Sequence, residues 1–151
     1  MKKMKTIKVS KKILKAITLA VKAATQYEDA TGRKLGITGE VAEVLASNEL
    51  GLELLADPIY PGCDAIDSRG KCYQIKGARK ANTQKNPRAG RIGTIASHKY
   101  DFLVLVLMDF DYKPRGMIYK LSYRKAEELA KRHKKRNPPI RSIALKKYLV
   151  K

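Results

Sequence analysis

The run Phe102-Leu103-Val104-Leu105-Val106-Leu107-Met108 is the longest uninterrupted apolar stretch of the chain. It has the length and β-branched content of a strand and falls far short of the ~20 residues that span a bilayer. A strand over 101–109 with no polar face in its middle must be buried, so the rest of the chain has to cover it. The total of 151 residues is enough for one domain with a sizeable core.

The covering elements are legible as patterns. Ser10 is a good N-cap, and Ile13, Leu14, Ile17, Ala20, Val21, Ala24 and Tyr27 recur at helical spacing until Thr31-Gly32. Lys11, Lys12, Lys15 and Lys22 fall off that stripe, which predicts a helix with a basic outer face. A second helix is expected from Thr38, as N-cap, to Gly51. Its stripe of Ile37, Val41, Val44 and Leu45 puts Glu40 at the border of the core and Glu43 toward solvent. Residues 52–55 read as a short strand. Residues 64–67 and 71–76 read as a hairpin closed by Ser68-Arg69-Gly70, with Gly70 left-handed. Residues 78–98, with Pro87, Gly90 and Gly93, read as a long basic loop or a loop with a short helix. Residues 116–121 read as a further strand, and Tyr123–Arg136 as a helix capped by Ser122. The order α-α-β-β-β-β-β-α describes an α/β (α+β-like) domain around a mixed sheet.

The net charge of +19 speaks to partners rather than to fold and favours a polyanion, nucleic acid first. It is unevenly spread. Residues 1–34 hold 10 basic and 2 acidic side chains, and residues 69–100 hold 9 basic and none acidic. Between them, residues 35–68 hold 7 acids and no Lys or Arg. Such an island suits cation coordination, because carboxylates beside a bound phosphate would otherwise repel it. Cys63 and Cys72 are too few for a disulfide scaffold or a zinc site and are expected as reduced, small hydrophobes. The apolar segment after the basic start is broken by Lys15 and Lys22, so a cytoplasmic protein without membrane contact is expected.

The hairpin carries the chemistry. If Asp67 pairs with Lys71, then Asp64 faces Gln74, and Lys76 shares their face. A two-residue turn would send Asp64 to the other side. One carboxylate, one amide and one ammonium would then lie within a few ångströms.

Asp64 followed by Gln74-x-Lys76, preceded by a helix carrying Gly39-Glu40, resembles the PD-(D/E)xK nuclease superfamily, the restriction-endonuclease-like fold. The strings Gly62-Cys63-Asp64-Ala65-Ile66-Asp67, Gln74-Ile75-Lys76-Gly77 and Lys135-Arg136-Asn137 with Arg141-Ser142-Ile143 are similar to small bacterial and phage members. The resemblance covers residues 36–121. It implies a three-layer domain with a central mixed sheet flanked by helices, acting as a Mg²⁺- or Mn²⁺-dependent DNA endonuclease. By the same resemblance Asp64 is the central metal ligand, with Gln74, the Ile75 backbone carbonyl and Glu40 completing the shell. Lys76 activates water and stabilises developing charge. Gln74 stands where the family has Glu or Asp, which removes one negative charge from the site.

Basic stretches supply an expected DNA grip: Arg79, Lys80, Lys85, Arg88 and Arg91 after the hairpin, and Lys131, Arg132, Lys134, Lys135 and Arg136 at a helix end. Two Phe, no Trp and scattered Tyr argue against a single-strand stacking platform. Two other readings fit the same composition: a catalytically inactive nucleic-acid-binding module, and a basic RNA- or ribosome-associated protein. A homodimer is compatible with cutting two strands.

Overall fold

The computed structural model describes residues 3–80, 100–132 and 146–150. In chain order the elements are β1 (Thr6–Lys8), α1 (Lys11–Thr31), α2 (Thr38–Leu50), β2 (Glu53–Leu55), β3 (Ala65–Ile66), β4 (Cys72–Arg79), β5 (Phe102–Met108), β6 (Ile118–Ser122), α3 (Tyr123–Arg132) and a 3₁₀ turn at Lys146–Tyr148. The strands form one six-stranded sheet in the order β1-β2-β3-β4-β5-β6. All pairs are antiparallel except β4 and β5, which run parallel.

The apolar run forms β5, and its two faces feed two cores. Val104, Val106 and Met108 pack with Ala24 of α1 and with Val41, Ala42 and Ala46 of α2. Leu103, Leu105 and Leu107 pack with Tyr119 and Leu121 of β6 and with Ala126 of α3. Three layers result: α1 and α2, the mixed sheet, then α3. No described helix is long and apolar enough to cross a membrane.

Helix ends follow local chemistry. The Ser10 hydroxyl accepts the Ile13 N–H at 3.3 Å, and Gly32 closes α1 at φ 71°. The Ser122 hydroxyl accepts the Lys125 N–H at 3.3 Å. Thr38 is the first helical residue of α2 rather than its cap, and Ile37, with no side-chain acceptor, holds the cap position.

The hairpin register is the one expected: Ala65 pairs with Tyr73 and Ile66 with Cys72. Asp67 sets the loop, its Oδ1 accepting the N–H groups of Arg69 and Lys71 at 2.9 Å each. Gly70 takes φ 75°, in the left-handed region. β4 runs on to Arg79, so the first residues of the expected 78–98 loop are strand, and residues 81–98 lie outside the described residues.

Three features depart from the sequence reading. β1 is an added edge strand, with Ile7 paired to Leu54. On the other edge Leu149 bridges Tyr119, and the Val150 N–H donates to the Ile118 carbonyl at 2.8 Å. Cys63 and Cys72 are joined as a disulfide with Cα atoms 5.5 Å apart, not held as free thiols. Strand pairing alone sets Ile66, not Cys63, opposite Cys72; the turn ahead of β3, with Gly62 at φ 72° and a bend at Asp64, folds Cys63 back against the start of β4.

Candidate active site

β3 begins at Ala65, whereas β4 continues to Arg79. Beyond the start of β3 the edge of β4 therefore has no strand partner. Asp64 stands at that notch. Its N–H donates to the Tyr73 carbonyl at 2.9 Å, and Tyr73 also pairs with Ala65, so two residues oppose one as in a β-bulge. The bulge turns the Asp64 carboxylate along the strand edge. There Oδ2 accepts two hydrogen bonds, from the Ile75 N–H at 2.7 Å and from Gln74 Nε2 at 2.9 Å.

These two bonds fix more than Asp64. An ionised carboxylate only accepts, so the Gln74 amide nitrogen must face it and Oε1 must face away. Within a strand the N–H and C=O of one residue lie on the same side. The Ile75 carbonyl thus points to the open edge, toward the notch. Among the described residues neither Asp64 Oδ1 nor Gln74 Oε1 has a hydrogen-bond partner.

α2 supplies the other wall. It packs close to β4 because residue 77 is glycine: a Cβ there would lie 2.5 Å from Ala42 Cβ and 3.2 Å from the Thr38 carbonyl oxygen. That approach brings Glu40 and Glu43 to the notch. Glu43 is half-buried and Glu40 exposed, the reverse of the expected arrangement. The helical stripe was drawn through large apolar residues only. Ala42, Ala46 and Ser47 are also buried, and counting them widens the buried face of α2 until Glu43 lies within its margin. Glu43 is the site residue that the periodicity missed; its signal was the small residues flanking it.

The electrostatics tie the four charged groups together. Burial, then the charges of Asp64 and Glu40, push the Glu43 carboxyl up to about 7, and Lys76 pulls it back. Burial also holds the Asp64 carboxyl above its ordinary value; the Ile75 N–H, Lys76 and Gln74 oppose this, and Glu40 adds to it. Lys76, Glu40 and Glu43 make no ion pair or hydrogen bond with a described residue. The notch thus gathers three carboxylates and one ammonium, and only one oxygen of Asp64 is committed to holding the fold.

Among the described residues no three His, Cys, Asp or Glu groups close on one point as a complete metal cage. The oxygen donors present (Asp64 Oδ1, Gln74 Oε1, the Ile75 carbonyl and the α2 glutamates) instead suit a hard cation that keeps several waters and phosphate oxygens in its shell, as Mg²⁺ does. The crowding that raises Glu43 is itself relieved by a cation.

The expected DNA grip fares differently from the hairpin. Arg79 turns inward: its guanidinium meets Glu28 Oε2 at 2.6 Å, the Phe110 carbonyl at 2.8 Å and the Tyr112 hydroxyl at 3.1 Å, and it stacks on the Tyr112 ring at 4.3 Å. With 7% of its side chain exposed it is a buried latch, not a phosphate contact. Its position explains this, because Ala78 and Arg79 belong to β4 rather than to a loop. Lys80 follows, its N–H donating to the Met108 carbonyl at 2.8 Å. Lys131 and Arg132 fall in the last turn of α3. Lys85, Arg88, Arg91, Lys134, Lys135 and Arg136 lie outside the described residues. No protein-family model matches the chain, and no curated protein matches it.

Proposed function

We propose that the chain is a metal-dependent DNA endonuclease in which Asp64, Glu43, Glu40, Gln74 and Lys76 form the active site. The observation that carries the reading is the division of labour at Asp64. Oδ2 is pinned by Ile75 and Gln74, while Oδ1 stays open beside Lys76 and Glu43. A carboxylate needed only to cap a strand edge would not require two further unpaired acids and an unpaired lysine around it.

Each group has a role within reach. Asp64 Oδ1, Gln74 Oε1 and the Ile75 carbonyl are oxygen donors for Mg²⁺ or Mn²⁺, and Glu43 and Glu40 add charge from α2. A cation held there would supply Lewis-acid stabilisation of a phosphodiester and make water at the site more acidic. Lys76 places an ammonium where charge builds on the phosphate under attack. Glu43, on the α2 wall of the notch, would accept a proton from water. Gln74 orients Asp64 without adding charge.

The test is cleavage of plasmid, linear and four-way-junction DNA with Mg²⁺ or Mn²⁺. Asp64→Asn keeps an acceptor for the Ile75 N–H but loses the charge. It and Lys76→Ala should each lower cleavage by about 100-fold or more. Cleavage that survives both substitutions defeats the reading.

A further inference from the structure

We infer that the outward row Lys11-Lys15-Lys22 of α1 is a track for the phosphate backbone of duplex DNA. The inference rests on the nuclease reading only for the identity of the polyanion, not for catalysis. At 100° per residue these three lysines fall within about 40° of one another, and at 1.5 Å per residue the row is about 16 Å long. That length spans roughly five base-pair steps of 3.4 Å measured along the duplex axis.

All three lysines are exposed, and none forms an ion pair with a described residue. Their placement is unfavourable for the helix itself. The first turn of α1 has no acidic residue and carries Lys11 and Lys12 against the positive end of the macrodipole. Lys11 and Lys15 are like charges at i, i+4. Thr18, between Lys15 and Lys22, turns its hydroxyl back to the Leu14 carbonyl at 2.9 Å and brings no compensating charge. The row ends at Asp29, and Glu28 is held by Arg79.

Lys5 and Lys8 have a simpler explanation, since cations on an edge strand such as β1 deter pairing with another chain. That does not reach along α1. An anionic membrane is a poorer fit, because Ile17, Val21 and Ala24 of α1 pack into the core and leave Leu19 as the one large apolar side chain exposed on that helix, too little for an inserting face. With Arg79 turned inward, α1 is the described element that offers a regular cationic row.

The experiment is duplex DNA binding in EDTA, titrated against salt, so that cleavage neither contributes nor is needed. Replacing Lys11, Lys15 and Lys22 together by Gln should reduce the slope of log K against log[salt] by about 2 to 3, because each phosphate contact contributes ~0.9. The same three positions changed to Arg should keep the slope. Changing exposed Lys113, Lys125 and Lys146 to Gln removes equal charge elsewhere and should lower it by less than about 1. An unchanged slope in the α1 variant, or an equal fall in the control, overturns the track. So does loss of binding to phosphatidylserine vesicles with DNA binding intact. A chain that binds in this way yet never cleaves would overturn the nuclease reading and leave the track standing.

Discussion

Gly77 lies against Ala42 so closely that a single added methyl would stop 2.5 Å from the Ala42 Cβ. Neither atom belongs to the chemistry, yet this contact sets how near α2 comes to β4. Gly77→Ala should push α2 outward, cost about 1–3 kcal/mol of stability as overpacking does, and lower metal-dependent cleavage by drawing Glu43 away from Asp64. Chemical unfolding gives the first number and a cleavage assay the second. Unchanged stability would mean that α2 yields freely.

Glu43 makes stability depend on pH. Its carboxyl is raised from 4.5 to about 7, so the folded state binds a proton that the unfolded state has released in that interval. The contribution is fully present below pH 4.5 and is lost as pH rises through 7. Screening of a half-buried group reduces the ~1.4 kcal/mol per pH unit of an unscreened shift, so about 1–2 kcal/mol in total is expected. Glu43→Gln should remove this dependence, making the protein more stable than wild type at pH 8 and little different at pH 4.5. Parallel stability curves for the two proteins across that range would show that Glu43 does not titrate there.

Arg79 is a stability residue. Arg79→Ala leaves the Glu28 carboxylate and the Tyr112 hydroxyl without their shared donor, and removing one partner of a buried ion pair costs about 3 kcal/mol or more. The salt dependence of DNA binding should not change. A reduced slope with unaltered stability would return Arg79 to the nucleic-acid surface.

The Cys63–Cys72 bond closes a loop with a sequence separation of 9. In the chain-entropy account a loop of that size contributes about 2–3 kcal/mol. Reducing agent, or the double change to Ser, should lower the unfolding midpoint accordingly. Because Cys63 adjoins Asp64, it should also loosen the notch. Equal midpoints with and without reductant would indicate that the bond adds nothing to the folded state.

Where the sequence was informative, the physics was local. The Asp67–Gly70 loop fixed the register, and the register placed Asp64 against Gln74. Ser10 and Gly32 marked α1, and the period of β5 could hardly be mistaken. What stayed hidden depended on distant partners. β1 has only three residues and exists because Leu54 lies beside Ile7. Arg79 looked like one more basic side chain until Glu28, which is 51 positions away in sequence, supplied a carboxylate. Glu43 was misplaced because alanine and serine bury themselves without announcing a stripe. Family resemblance named Glu40, and the fold added Glu43 beside it.

The parallel pairing of β4 with β5 has a consequence for how the molecule comes into being. The hairpin and α2, and with them every carboxylate of the notch, leave the ribosome before Phe102 does. Yet β4 lacks its long neighbour, and both cores lack their shared strand, until residues 102–108 have been made. A nascent chain ending near residue 100 would hold every charged group of the notch and the loop that sets the hairpin register, but not the strand that anchors β4 and α2 to the cores. Competence at the notch should therefore arise late in translation and in one step, when β5 docks.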